Sequence, residues 1–352
     1  MDIHPLCDDQ WTGIPIFTRR LVQALQRDER LDPRFCCGRV RIPCEAVNAA
    51  IRAGAGTALR DDCTRNLKRY GPIDRQAPLL IPSVKRVSGL AAHEASTVHD
   101  LSTLFMPETH EHTNVVHHMG SLLKELASDE VVFCVSEATR AALVTAFPSV
   151  SPKVKVLYQY VEWPADYVCL ERNLPAVRMG RYAVVVGTIE PRKNLALILN
   201  SLGTREVGRS DIKFVVIGRP GWLTGNLVAQ LTAAERKRVL FTGYVSEFTK
   251  YRLIKNAEFL VYPSLYEGFG IPALEAMSLG KPILAARTSS FPEVIGDAGV
   301  FFDPLSIAEF AAAFELIQHR YKLTELASRA LAQAARFSWQ RMATTVAQWA
   351  CS

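Results

Sequence analysis

The second half of the chain alternates short, unbroken apolar runs with stretches of helical period. "RYAVVVGT" (181–188), "IKFVVIG" (212–218), "RVLFTG" (238–243), "AEFLVYP" (257–263), "KPILAA" (281–286) and "AGVFFD" (298–303) each have the length of a buried strand. Helical spacers separate most of them, from Asn194 to about Arg205 and from Leu223 to about Glu235 among others. Strands that are apolar on both faces and joined by helices predict a parallel sheet covered on both sides. The pattern is that of a doubly wound, Rossmann-like domain, whose ligands bind beyond the carboxyl ends of the strands.

The first half repeats this more loosely. "MDIHPL" reads as an opening strand, "IPIFTRRLVQALQRD" as an amphipathic helix, and "RFCCGRV", "STVHD" and "EVVFCVS" as strands. Ser136 is placed to cap a helix over 136–147. The segment from Tyr158 to Met179 holds Pro164 and Pro175, shows no period, and reads as a linker. The fold class is therefore α/β with two Rossmann-like domains, 1–165 and 166–335, followed by a terminal helix over 336–352. A chain of 352 residues, 49% hydrophobic, can bury two such cores.

Composition changes this picture little. No apolar stretch reaches the roughly 18–20 residues of a spanning helix, and no secretory leader opens the chain, so a cytoplasmic protein is expected. Cys7, Cys36, Cys37, Cys44, Cys63, Cys134, Cys169 and Cys351 have neither disulfide-framework nor metal-like spacing, which favours free thiols. The net charge of +6 is uneven: eleven Lys or Arg lie between Arg34 and Arg86 against four acids, Glu45, Asp61, Asp62 and Asp74. That segment is either a solvated basic face or a contact for anionic lipid or a diphosphate-bearing substrate. Nucleic acid is disfavoured, because only Tyr70 is interleaved with the positive charge. His110, His112, His117 and His118 crowd "THEHTNVVHH"; His110, Asn114, His117 and His118 would share a helix face, as a solvated or acceptor-facing surface rather than a metal site.

Candidate chemistry concentrates in "SLYEGFGIPALE", where Glu267 and Glu275 bracket a glycine-rich turn between a strand and a helix that starts near Pro272. Such a turn presents backbone N–H groups at a positive dipole end, suited to sugar hydroxyls or phosphate oxygens. Arg192 and Lys193 in "EPRKN" likewise follow a strand end, where two cations can neutralise a diphosphate.

These segments together resemble family 4 of the retaining glycosyltransferases. "GTIEPRKNL" (187–195), "GYVSEFTKYRLIKNA" (243–257), "PSLYEGFGIPALEAMSLGKPIL" (263–284) and "TSSFPEVIGDAGVFFDP" (288–304) carry the likeness, with "TGIPIFTRRLVQAL" (12–25), "VHDL" (98–101) and "VSEATR" (135–140) in the expected order. The resemblance implies a GT-B architecture, with two Rossmann-like domains facing across a cleft and a terminal helix returning to the first. It implies that the second domain holds a nucleotide-sugar donor and the first an acceptor.

On that resemblance, Glu267 would bond the donor sugar, and the N–H groups of Phe269, Gly270 and Ile271 would surround sugar and phosphate. Glu275 would accept from the ribose hydroxyls, and Arg192 and Lys193 would hold the diphosphate. Tyr244 and Val245 would lie near the base, Ser289 and Ser290 would line the donor pocket, and Gly13 would approach the phosphates. His99 would contact the sugar. The run Ile14-Pro15-Ile16-Phe17 departs from the polar or basic residue usual after that glycine. The expected reaction is a retaining hexosyl transfer without metal or other cofactor, to a saccharide or lipid-diphosphate-linked saccharide in polysaccharide synthesis. "GRPGWLTGNL" (218–227) points to GDP-mannose, with a UDP-sugar or deoxyhexose donor as alternatives. The basic 34–86 region would give peripheral contact with the inner face of the membrane. The rival readings are a nucleotide-sugar epimerase or hydrolase, and a non-catalytic donor binder.

Overall fold

Val/Ile/Leu-rich segments too short for helices pair into parallel sheets in a computed structural model that describes residues 1–54, 56, 59–60, 71–85, 87–221 and 231–352. Contacts divide the chain into two units: Met1–Leu104 with Val115–Tyr160 and Phe337–Ser352, and Phe105–Asn114 with Val161–Arg336. The break falls at Tyr160/Val161, a few residues before the 165/166 boundary drawn from the sequence, and 105–114 groups with the second unit.

In the first unit, β1 (Phe35–Cys37) and β2 (Val40–Ile42) form an antiparallel hairpin, and β3 (Leu79–Ile81), β4 (Glu94–Val98), β5 (Val131–Cys134) and β6 (Val154–Val156) form a parallel sheet in that order. "RFCCGRV" is thus not one strand, because the chain reverses at Gly38, whose φ is 57°. Nor is "MDIHPL" a strand. Asp2 makes a single bridge to Cys36, and the chain then closes into a 3-10 turn, His4–Cys7, around Pro5, which has no N–H for a ladder. Met1–Ile3 still joins hairpin to sheet, since Asp2 N–H donates to the Leu80 carbonyl at 2.8 Å and Ile3 N–H to the Cys36 carbonyl at 2.8 Å.

The amphipathic helix Ile14–Arg27 buries Phe17, Leu21, Val22 and Leu25. The final helix, Trp339–Ala350, packs on it, with Trp349 edge-on to Phe133 of β5 at 6.1 Å and its indole N–H donating to Glu130 at 3.3 Å. Ser136 accepts from the Thr139 N–H and caps Glu137–Ala146, as its position in the sequence predicts.

The second unit holds β7 (Tyr182–Val186), β8 (Lys213–Ile217), β9 (Val239–Gly243), β10 (Leu260–Tyr262), β11 (Ile283–Ala286) and β12 (Gly299–Phe302), one for each apolar run of the second half. All pair in parallel, in the order β9-β8-β7-β10-β11-β12. The chain builds outward from β7 to β9 and then returns to β10 on β7's other side, so the order reverses between β7 and β10. A doubly wound sheet binds its ligand at such a reversal.

Three helical expectations change. The linker contains a helix, Asp166–Arg172. The spacer from Asn194 breaks into Leu195–Ser201 and Arg205–Gly208, because Thr204 accepts from the Val207 N–H and starts a new turn. Of the stretch expected to run from Leu223 to Glu235, residues 222–230 lie outside the described residues, and Ala233–Arg236 is a single turn with a Thr232/Glu235 capping box. Among the described residues no helix is long and apolar enough to cross a membrane.

Candidate active site

The loop after β7 and the loop after β10 are fastened to each other. Asn194, in the left-handed region at φ 53°, donates through its side chain to the carbonyls of Pro263 (3.2 Å) and Pro304 (2.9 Å). The Leu265 N–H donates to the Arg192 carbonyl at 2.8 Å. Neighbouring strand ends thereby bring Arg192 and Lys193 against Glu267, which lies 74 residues beyond Lys193 in sequence. Lys193 Nζ lies 2.5 Å from Glu267 Oε1, and Arg192 Nη1 lies 3.4 Å from Oε2. Arg192 also donates to Glu190 Oε1 at 2.6 Å and to the Tyr266 carbonyl at 2.7 Å. A Cβ at Gly187 would meet Lys193 Cε at 3.4 Å, an ordinary contact, so it is the backbone, at φ 149°, that favours glycine beside the Lys193 stem.

Burial alone would push the Glu267 carboxyl up, but the Lys193 and Arg192 charges outweigh it and hold the group below its ordinary range. Burial, reinforced by the Glu267 charge, pushes the Tyr262 hydroxyl well up. The cluster of Glu190, Arg192, Lys193 and Glu267 thus sums to no net charge, although it holds two cations. It borders a small cavity at the β7/β10 reversal, lined by Gly187, Thr188, Lys193, Tyr262 and Ser264 among others.

The backbone of Glu267 is clamped from a third loop, the one after β11. Its N–H donates to Ser289 Oγ at 2.9 Å, and Ser290 Oγ donates to its carbonyl at 3.0 Å. Phe269 and Gly270 are buried, Ile271 is half-buried, and Ile271 opens the helix Ile271–Met277. Glu275, one turn in, is buried at 1% exposure and meets Lys250 Nζ at 2.8 Å through Oε1. Tyr244 is exposed and Val245 half-exposed, directly after β9. The structure therefore brings Arg192, Lys193, Glu267, the 269–271 turn and Glu275 to one end of one sheet.

Gly13 and His99 belong to the other unit. Gly13 precedes the helix Ile14–Arg27 at φ 50°, the left-handed region where a Cβ is strained. His99 follows β4, its Nε2 lies 2.7 Å from the Pro82 carbonyl, and its ring meets Phe17 edge-on at 4.7 Å. Burial lowers its pKa from the usual 6.5, which keeps the imidazole neutral near pH 7. Asp100, beside it, instead accepts from the Ser102 N–H (3.0 Å) and Oγ (2.7 Å).

Two expectations around the site are corrected. Lys85 is not part of a basic face: it is fully buried between Glu94 and Asp129, 2.5 and 2.6 Å away. Arg34, Arg39, Arg41, Arg52, Arg60 and Arg75 are exposed, whereas Arg65, Lys68, Arg69 and Arg86 lie outside the described residues. His110 stands before the helix His112–Ala127 rather than on its face, so it shares no helical stripe with Asn114, whose side chain, like those of His117 and His118, is not described. No group of three or more His, Cys, Asp or Glu among the described residues is disposed for a metal. Residues missed from sequence are Glu190, Asn194 and Lys250. Glu190 stood in the quoted "EPRKN", and Lys250 lies one turn past the capping Ser246, but their partners follow only from which loops meet.

Two α/β units with parallel sheets, the second doubly wound with its polar cluster at the strand reversal, define the GT-B class of glycosyltransferase. The sequence profile of the glycosyl transferases group 1 matches residues 171–336. The O-antigen chain mannosyltransferase B of Escherichia coli is 32% identical over 258 residues, covering 71% of this chain and 68% of that one. A serotype-specific mannosyltransferase, WbdA, also of Escherichia coli, is 30% identical over 46% of this chain, which spans only 20% of that relative's length. The sucrose-phosphate synthase of Thermosynechococcus elongatus, 17% identical, superposes with a TM-score of 0.67 over 98% of this chain and 95% of its own, which speaks for the fold alone. The chain belongs to the glycosyl transferases group 1, and is an enzyme, a hexosyltransferase.

Proposed function

We propose that the enzyme transfers mannose from GDP-mannose to a saccharide acceptor of O-antigen type, with retention and without a metal. The observation that carries this is the Arg192–Lys193–Glu267 cluster at the β7/β10 reversal, with Glu275 one helical turn further on. The mannosyl part draws on the relatives, which are mannosyltransferases by name.

Lys193 is paired with Glu267. A diphosphate arriving at the strand ends draws Lys193 onto its oxygens, and the freed Glu267 carboxylate accepts from the sugar hydroxyls. Glu275 accepts from the ribose diol. The bond from C1 to the phosphate oxygen breaks, and the leaving diphosphate gains charge facing Lys193 and the Phe269–Ile271 amides. The acceptor oxygen bonds C1 from the same face and its proton passes to the departing phosphate oxygen, so the step closes without a protein base. The exposed Arg39, Arg41 and Arg52 suit an acceptor carried on a lipid diphosphate at a membrane surface.

Thermal-shift titration tests the donor first. GDP at about 100 times its dissociation constant adds roughly 2.7 kcal/mol of stability, and Glu275→Ala is expected to remove that shift. Stabilisation by UDP alone would discard the guanosine donor. Transfer from GDP-mannose should then require acceptor and survive EDTA. Donor consumption at full rate without acceptor would mean a hydrolase or epimerase instead.

A further inference from the structure

We propose that Lys250 is a positioning residue for nucleotide recognition: it holds the Glu275 carboxylate in the orientation that meets the ribose diol, and Trp163 holds Lys250 in turn. The inference rests on the donor-site reading above.

Glu275 is a carboxylate in a buried position, where an ionised group needs a partner. The Lys250 ammonium supplies it on Oε1 at 2.8 Å and is itself largely covered, with 17% of its side chain exposed. A charged donor on Oε1 restricts rotation of the carboxylate and therefore the direction of Oε2. The ammonium also lies 5.6 Å above the Trp163 ring, within cation–π range. The Trp163 indole N–H donates to Ser278 Oγ at 3.0 Å, and Ser278 Oγ donates to the Glu275 carbonyl at 2.8 Å. One side chain from the start of the second unit's main segment thus touches both the counter-ion of Glu275 and the helix end that follows it. Tyr251, next to Lys250 and buried, packs against Trp163 at 5.3 Å and keeps the indole in place.

A purely structural role explains this poorly. A buried ion pair seldom outdoes well-packed apolar residues of the same volume. The pair also stands on helices that follow β9 and β10, at the carboxyl ends of strands where this fold binds ligands.

The test is the affinity of the intact protein for GDP and UDP and for their 2′-deoxy counterparts, in wild type, Lys250→Met, Lys250→Arg and Glu275→Gln. Wild type should prefer the ribose form, and Glu275→Gln should erase that preference. Lys250→Met should weaken the ribose form about tenfold or more, as for a lost bond to a charged group, while leaving the 2′-deoxy form nearly unchanged. Lys250→Arg should recover most of the preference. In turnover, Lys250→Met should raise KM for the donor and leave kcat within a few fold. If Glu275→Gln keeps the preference, the donor-site reading fails and the inference with it. If Glu275→Gln loses it but Lys250→Met keeps it, the inference alone fails. An equal loss for both nucleotide forms in Lys250→Met would mark a structural role and also overturn it. Lys250→Gln, read by the same criteria, takes the place of Lys250→Met if the latter does not fold.

Discussion

Gly270 is the residue at which backbone conformation and the candidate site meet. It sits in the turn before the helix Ile271–Met277 at φ 91°, a region that strains any residue with a Cβ, and an added methyl would stand 2.9 Å from the Phe291 ring. Phe291 is fully buried beside Tyr262, so it has little room to yield. Gly270→Ala should therefore cost about 1–3 kcal/mol, read as a lower Tm. It should also weaken nucleotide binding, because the same turn sets where the Phe269–Ile271 amides point. Unchanged nucleotide affinity in this variant would separate the turn from the donor site. At the same scale, Glu267, Lys193 and Glu275 were singled out in the sequence as candidates, because each lies near a strand-to-helix transition and inside a motif that carries the family resemblance. Lys250 was not. Its meaning comes from Glu275, 25 residues on, through a strand order that no local pattern encodes.

At the scale of elements, a buried charge network gathers at the starts of β4, β5 and β6. Lys85 follows β3, Glu94 opens β4, Asp129 precedes β5, and the Lys153 ammonium, just before β6, donates to the Asp129 carbonyl at 2.8 Å. Two carboxylates share the one buried Lys85 ammonium. Burial pushes Asp129 up to about 6, with Lys85 and Ser96 opposing. Glu94 is pushed up by burial but ends below its ordinary value through Lys85 and the Ala91 and Gly89 N–H groups. The signs are opposite. A raised carboxyl binds its proton more tightly when folded, so the Asp129 contribution is present at acid pH and is lost between about pH 4 and 6. Its size is on the order of 3 kcal/mol. The Glu94 contribution is present above its unfolded pKa and lost on acidification. The Tm of wild type should therefore fall relative to that of Asp129→Asn as pH rises from 4 to 7. A difference that stays flat would show that Asp129 titrates normally.

Elements also show where the pattern was readable. The six strands of the second unit follow from continuous apolar runs, because a strand buried on both faces has no polar face to blur it. "MDIHPL" and "RFCCGRV" misled because their composition is strand-like while Pro5 and Gly38 set the backbone. The helix Asp166–Arg172 was hidden because none of its residues is buried, so it has no apolar stripe.

For the whole molecule, the unit division predicts that damage stays local. Trp349 is buried against Phe133, and Trp349→Ala should cost roughly 3–5 kcal/mol, as other large-to-small core changes do. Amide exchange should accelerate across β4 and β5 and stay as it was in β7 and β10, since the helix Trp339–Ala350 belongs to the first unit. Equal acceleration in both sheets would show that the units unfold as one.

That same helix sets an order in time. The apolar stripe of Ile14–Arg27 that it packs against leaves the ribosome roughly 300 residues earlier, a delay of about 15–60 s at 5–20 residues per second. During synthesis, the face of Ile14–Arg27 that the terminal helix covers stays open while the whole second unit is made and can fold. The half that emerges first is thus completed after the half that emerges second, and a chaperone holding that stripe would have its binding site removed by the arrival of Trp339–Ala350.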